Sequence, residues 1–270
     1  MISIILFLII IFILLGYQFF FKPWHPDLPN QLKKTNFFYY GHRGAPYIAP
    51  ENTLISFQEA IDYNIDGLEL DVQFSKDKEL IIYHDEYINF NNQEINISKL
   101  DVQDIKKINV NNKFSDIDPQ FIPKLEDVIG ILPNNILLNI EIKSYKYSNS
   151  HLITKKIIEL TTTKSINNQI IISSFNPFII KQIKSINPYI STAFIWSRKS
   201  YFHYKLFSYY AKPDAFHVNI NDISADMVKW FKNKNINIYA YTVNNQSDLD
   251  KAKRYGLQGI FTDKPDIKNV

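Results

Sequence analysis

The chain predicts a (β/α)8 barrel preceded by one N-terminal transmembrane helix, and three observations carry that prediction. One is length: 270 residues, 46% of them hydrophobic, are ample for one core, and about 250 residues is ordinary for a single barrel domain. Another is rhythm. From residue 37 onward, short β-rich runs alternate with runs of helical spacing, the pattern of a parallel sheet with helical crossovers. The last is the opening ISIILFLIIIFILLGYQFFF, residues 2 to 21, which holds no charge. A helix of about 20 residues at ~1.5 Å each spans the ~30 Å hydrocarbon core of a bilayer.

The elements follow in order. Tyr17, Phe19, Phe20, Phe21 and Trp24 fall where an interfacial aromatic belt would lie. A cleaved signal peptide would show a basic start, a shorter apolar run and a small-x-small site, and none is evident. A buried barrel helix is rarely apolar all round over this length. Lys22, Lys33 and Lys34 follow the run and no Lys or Arg precedes it, so the positive-inside rule places the remainder on the cytoplasmic side of the membrane. KPWHPDLPN, with Pro23, Pro26 and Pro29, reads as a stiff linker. The expected division is an anchor at 1–21, a linker at 22–36 and one barrel domain at 37–270.

Within that domain, FFYYGHR predicts the first strand. ENTLISFQEAIDYN predicts a helix, with Leu54, Phe57, Ile61 and Ile65 at helical spacing. GLELDVQFS is a strand, KDKE a turn, and LIIYHD a hairpin-like extension of that strand. An Asn-rich stretch from Asn89 to Asp118 interrupts the rhythm. LEDVIGIL (helix) and ILLNIEIK (strand) restore it, followed by a helix over 151–161 and the strand QIIISSF. Pro177 suits the first position of the next helix. STAFIWS, a Tyr/Phe-rich helix near 201–210, AFHVNI, ADMVKWFKN, INIYAYTVN, SDLDKAKRYG and GIFTD complete eight strand-helix units. A doubly wound open sheet is the alternative, but no Gly-rich phosphate loop supports it.

Composition narrows the function. A net charge of +3 with no long Lys/Arg stripe speaks against a nucleic-acid partner. The absence of Cys removes disulfides, thiolate metal sites and Cys nucleophiles. What stands out is YYGHRGAPYIAPENT, residues 39 to 53, which spends two of only 7 glycines on either side of a His-Arg pair. Strand alternation points Glu69 and Asp71 of LELD the same way, and likewise Glu141 and Lys143 of NIEIK. His42, Arg43, His84 and Asp85 also lie near the C-terminal ends of strands, where barrel enzymes build their sites.

Three carboxylates crowded at one mouth repel each other, and a divalent cation removes that penalty. An all-oxygen set suits a hard ion, Mg²⁺ or Ca²⁺. Arg43 offers a planar fork for phosphate oxygens and Lys143 a point charge. Two imidazoles can serve as general base and general acid near neutral pH. Together these groups form a kit for cleaving a phosphodiester.

The ordered set GHRGAPYIAPENT, DGLELDVQFSKD, YHD, IPKLEDVI, NIEIK, SSF, YTVN and TDKP resembles the glycerophosphodiester phosphodiesterase family, kin of the phosphatidylinositol-specific phospholipase C barrels, over nearly everything after residue 37. The resemblance implies a TIM barrel that hydrolyses glycerophosphodiesters to glycerol 3-phosphate and an alcohol with a divalent cation. It implies His42 and His84 as the catalytic pair and Glu69, Asp71 and Glu141 as metal ligands. Arg43 and Lys143 would contact phosphate, Tyr241 would wall the glycerol side, and Glu51 would sit near the metal or orient His42. Asp85 would orient His84. Two departures stand out: EYINFNNQEINIS follows YHD where the family often has Arg-Thr-Thr and Gly, and YTVN replaces Trp-Thr-Val-Asn. The first borders the substrate pocket. A membrane tether leaves a second substrate class open, lysophospholipids cleaved by a lysophospholipase D. A reading of another class is a non-catalytic barrel that only binds phosphodiesters. His217, mid-strand, is expected to be a satisfied core histidine, and the run YFHYKLFSYY (201–210) a helix packed on the barrel.

Overall fold

The strand runs are apolar on both faces, as a sheet needs when side chains fill its interior and helices cover its outside. The computed structural model describes residues 2–17, 24–35, 37–111, 113–143 and 150–269. The strands are β1 (Phe38–Gly41), β2 (Gly67–Phe74), β3 (Leu80–Ile82), β4 (Tyr87–Phe90), β5 (Gln93–Asn96), β6 (Leu137–Ile142), β7 (Ile170–Ser174), β8 (Ser191–Trp196), β9 (Ala215–Asn219), β10 (Asn237–Tyr241) and β11 (Gly259–Thr262). Among the described residues, β1, β2, β6, β7, β8, β9, β10 and β11 pair in parallel in that order, and β1 pairs with β11 to close the barrel. β3 runs antiparallel to β2, with Val72 opposite Ile82, so LIIYHD is the extension of the second strand that its sequence suggests.

The helices are α1 (Ile2–Gly16), α2 (Asn30–Lys34), α3 (Leu54–Asp62), α4 (Val102–Ile105), α5 (Leu125–Ile131), α6 (Ser150–Thr163), α7 (Pro177–Ile186), α8 (Tyr204–Ala211), α9 (Ala225–Lys232) and α10 (Gln246–Arg254). Their starts are written locally. Thr53, Asn176, Ser224 and Asn245 each accept a backbone N–H of the first turn, and Pro177 takes the first helical position of α7. The aromatic run 201–210 packs as expected: the Phe178 ring meets those of Phe202, Phe207 and Tyr210 edge-on.

In a barrel of this class the stagger of about eight residues makes alternate strands share each interior layer. The strand register therefore stacks Tyr40, Asn139, Ala193 and Tyr239 low in the barrel. Glu69, Ser173, His217 and Phe261 form the next layer up, then His42, Glu141, Ile195 and Tyr241, and at the mouth Asp71, Phe175, Asn219 and Asp263. The lower half is apolar packing, and polarity rises toward the C-terminal ends of the strands. Residues 87–121 build a side lobe on β4, β5 and α4, with Ile81, Ile88, Ile97, Leu100, Val102, Ile105, Ile108 and Ile122 as its own small core.

Two expectations for the N-terminus change. The uncharged run expected to span 2–21 is helical over Ile2–Gly16, about 22 Å of helix. The run continues into residues 18–21, outside the described residues, and among the described residues no helix is long and apolar enough to cross a membrane. The proline-rich stretch expected as a stiff linker packs down instead. Leu28 and Leu32 are buried with Phe38, Leu137 and Ala215, closing the N-terminal end of the barrel. The physical reason is that the lowest interior layer is apolar and needs a cover, which α2 supplies.

Candidate active site

β2 and β6 are neighbours with Asp71 opposite Glu141, so the pleat that points one inward points the other inward too. Glu69, Asp71 and Glu141 are all buried, and one oxygen of each lies within 4.8 Å of the others. Two cations hold this group together. Lys143 Nζ sits 2.9 Å from Asp71 Oδ1 and 2.6 Å from Glu141 Oε1. Arg43 reaches Glu51 at 2.9 Å and Asp71 at 3.2 Å. Asn52 Nδ2 donates to Asp71 at 2.8 Å. Burial opposes ionisation of Asp71, yet Lys143 and Arg43 hold its carboxyl well below the usual range.

Glu69 is treated differently. It accepts the Arg43 backbone N–H at 2.9 Å, and among the described residues no Lys or Arg side chain pairs with it. Burial, and then the charge of Asp71, push its carboxyl up to about 8. Three buried acids thus face two partly buried cations; ionising all three would leave one negative charge uncompensated, and that cost falls on Glu69, which keeps its proton near neutral pH. An all-oxygen, charge-deficient cluster of this size fits a hard divalent cation.

The HRG turn explains the glycines. A Cβ on Gly41 would come within 2.6 Å of the Gly44 carbonyl oxygen, and Gly44 itself has φ +90° with Ser56 against it. Arg43 (φ +54°) and Asn52 (φ +58°) are held in the left-handed region, uncommon for residues with a Cβ. Ser56 Oγ donates to the Arg43 carbonyl and accepts the Ala45 N–H, and Asn52 N donates to Arg43 O, so the turn is fixed from several sides. The result aims the Arg43 N–H at Glu69 and its guanidinium at Asp71.

His42 and His84 both line a cleft of about 230 Å³ at the mouth, with Arg43, Glu69, Glu141, Lys143 and Tyr241. Each imidazole has its own carboxylate. His42 Nδ1 lies 2.6 Å from Asp263 Oδ1, and His84 Nδ1 lies 2.7 Å from Asp85 Oδ1. With Nδ1–H donated to the carboxylate, Nε2 of each ring is left to exchange a proton. Burial works against a charged His42, but the Asp263 hydrogen bond and the charge of Glu69 raise it above its ordinary value. Asp263 is also fixed by Asn244 Nδ2 at 2.6 Å. Tyr241 lines the cleft and donates its hydroxyl to the Trp196 carbonyl at 3.1 Å.

A model described as the Glycerophosphoryl diester phosphodiesterase family matches residues 42–267, which contain every one of these groups. The chain belongs to that family. It is therefore a phosphoric diester hydrolase of the glycerophosphodiester phosphodiesterase kind. It is 29% identical over 234 residues to a glycerophosphodiester phosphodiesterase of Caldanaerobacter subterraneus subsp. tengcongensis, covering 83% of this chain and 93% of that one. It is 30% identical over 239 residues to YhdW of Bacillus subtilis (strain 168), covering 84% and 94%. A phosphodiesterase of Oleispira antarctica, solved in complex with the product sn-glycerol-3-phosphate, shares the fold with a TM-score of 0.78 at 24% identity, over 86% of this chain and 95% of that chain.

The structure brings the residues expected from the sequence together at the mouth, and three of its placements add to or change the expectation. Glu51 pairs with Arg43, and the carboxylate on His42 is Asp263, because the last strand of the barrel returns beside the first. The TDKP motif was the available signal. Arg43 and Lys143, expected on phosphate, hold the carboxylates in this structure. His217 is not a satisfied core residue: it lines the cleft, Nε2 has no hydrogen-bond partner among the described residues, and burial lowers its ring to about 3, keeping it neutral. Asn139 and Asn219 line the same cleft and carried no motif.

Proposed function

We propose that His42 and His84 are the acid-base pair of this hydrolase, acting beside a divalent cation, Mg²⁺ or Ca²⁺, held by Glu69, Asp71 and Glu141. The substrate is a glycerophosphodiester and the products are glycerol 3-phosphate and an alcohol. The observation that carries the reading is the charge deficit of the carboxylate cluster, set at the mouth between two carboxylate-supported imidazoles. The product seen in the Oleispira relative fits the same chemistry.

When bound, the cation would balance the carboxylates and polarise a phosphoryl oxygen. The chain's own groups do the rest. Arg43 and Lys143, which lie against Asp71 and Glu141, would present positive charge to the phosphate. One imidazole accepts through Nε2 a proton from the water whose oxygen bonds to phosphorus, and the other protonates the alcohol oxygen as its bond to phosphorus breaks. Asp263 and Asp85 keep each ring in the tautomer that leaves Nε2 for this exchange. Tyr241 and Phe175 wall the cleft beside the organic part of the substrate.

The test is turnover of glycerophosphocholine with Mg²⁺ or Ca²⁺, after chelation and after restoring the ion. Chelation abolishes activity and the ion restores it. His42→Ala and His84→Ala each lower kcat about 10²–10⁴-fold with the fold intact by circular dichroism. Wild-type kcat in either variant removes that residue from the mechanism. Glu69→Gln raises the ion concentration needed for half-maximal rate, and an unchanged requirement takes Glu69 off the ligand set. Binding without turnover under all these conditions would favour a non-catalytic barrel.

The reading extends to the N-terminus. The uncharged run 2–21 serves as a single-pass anchor, with the barrel on the cytoplasmic side by the Lys22, Lys33 and Lys34 rule. Exposure of the large apolar side chains from Ile4 to Leu14 supports this, since none is buried against the barrel. Flotation with vesicles and resistance to alkaline extraction test it.

A further inference from the structure

We propose that the N-terminal end of the barrel docks on an anionic phospholipid bilayer, so that the mouth opens away from the membrane and takes water-soluble glycerophosphodiesters, not lysophospholipids of that bilayer. The inference rests on the anchor and hydrolase readings above and adds to them an orientation, and from that orientation the exclusion of bilayer lysolipids.

The first argument is where the chain enters. Trp24 Nε1 donates to the Pro213 carbonyl at 3.0 Å, immediately before β9. Asp27 N donates to Asp214 Oδ1 at 2.9 Å, and Ser191 Oγ, at the start of β8, donates to the Asp27 carbonyl at 2.8 Å. Leu28 and Leu32 then close the base of the barrel. The chain is thus pinned to the end opposite the cleft. If the apolar run is in lipid as far as Phe21, only Lys22 and Pro23 stand between it and Trp24 in the sequence, a reach of at most about 10 Å whatever their conformation. The strands alone put roughly 20 Å between the two ends of the barrel, before the loops are added. A tether that short holds the base at the bilayer and cannot bring the mouth to it.

The second argument is charge. Lys34 and Lys164 are exposed at the base, and Lys212 and Lys234 lie there too. Of the acids at that end, Asp27 is engaged with Lys33, Asp66 with Lys268 and Asp214 with Lys184, while exposed Asp62 accepts the Gln58 amide. Lysines near helix C-termini are favoured by the helix dipole in any case. On this face they are joined by Tyr189, 88% exposed beside Ser191, an aromatic of the kind that settles at headgroup level. The mouth carries exposed Glu51, Asp85, Asp226 and Asp250 beside exposed Arg198 and Lys199, and Arg198 lies 3.6 Å from Asp222. A bilayer bearing anionic phospholipid therefore complements the base better than the mouth.

The absence of cysteine makes the test direct. The full chain is reconstituted into phosphatidylcholine–phosphatidylglycerol vesicles with a single dye-labelled Tyr189→Cys at the base or Tyr201→Cys at the mouth, the latter residue being fully exposed. A headgroup-attached quencher should quench the Tyr189→Cys dye several-fold more than the Tyr201→Cys dye. Equal quenching, or stronger quenching at the mouth, overturns the proposal, and so does a chain that fails to float with the vesicles. In the same vesicles, glycerophosphocholine in the buffer should turn over at least tenfold faster than lysophosphatidylcholine in the bilayer. A comparable rate on the lysolipid overturns the substrate class. Loss of turnover on both substrates with Mg²⁺ or Ca²⁺ supplied would sink the hydrolase reading, while the dye comparison still decides which face meets lipid.

Discussion

The two histidine–carboxylate pairs at the mouth have nearly the same geometry and different surroundings. His42 and Asp263 meet at 2.6 Å from positions 221 apart, with side chains 18% and 22% exposed. His84 and Asp85 meet at 2.7 Å as chain neighbours, and the Asp85 side chain is 67% exposed. In the first pair, water competes little for the carboxylate, and Asn244 fixes its second oxygen. In the second, solvent screens the interaction, as it does for exposed ion pairs generally. The distance is common to both, so burial decides how much each carboxylate contributes to its imidazole.

That comparison can be broken by experiment. Asp263→Asn should lower kcat/KM by on the order of 10²-fold, because the buried ring loses the acceptor that fixes its tautomer. Asp85→Asn should cost less than about tenfold, since water can take the place of an exposed acceptor. Equal losses would show that burial is not what separates the pairs.

A smaller effect is read in stability. His42 is raised above 6.5 and Asp263 is lowered below 3.8, each having the other as a principal cause after burial. The histidine part is present below about pH 6.5 and is lost as pH rises through its raised value. The aspartate part is present above about pH 3.8 and is lost as pH falls through its lowered value. The thermal midpoint of the wild type should therefore exceed that of Asp263→Asn most between about pH 4 and 6.5, with the gap narrowing above. A gap that widens with pH would contradict the assignment. Smaller still is the reach of the cation: Glu69 raises His42 through its charge, so saturating Mg²⁺ or Ca²⁺ should lower the His42 midpoint in an NMR titration. A rise on adding the ion would mean that Glu69 is not a ligand.

Much of this site was legible in the sequence, for physical reasons that apply unevenly. Strand alternation suffices to point Glu69 with Asp71 and Glu141 with Lys143, because a pleat has a period of two. Neighbouring residues such as His84 and Asp85 declare their own partnership. Asp263 could not be assigned to His42 that way: their contact depends on which strands become neighbours when the barrel closes, and no local pattern encodes it. The same holds for His217 and Asn139, whose place in the cleft follows from the stagger of the strands. The helices were legible because caps and apolar spacing are local. The base of the barrel was not, since the prolines of residues 23–29 mark stiffness and say nothing about what Trp24 and Leu28 will cover.

The closing pair of strands has one more consequence. His42 N donates to the Thr262 carbonyl while its ring meets Asp263, so the first imidazole is completed by residues made more than two hundred positions later. A nascent chain that has not yet released residue 263 lacks the carboxylate which, in the reading proposed above, sets the tautomer of His42.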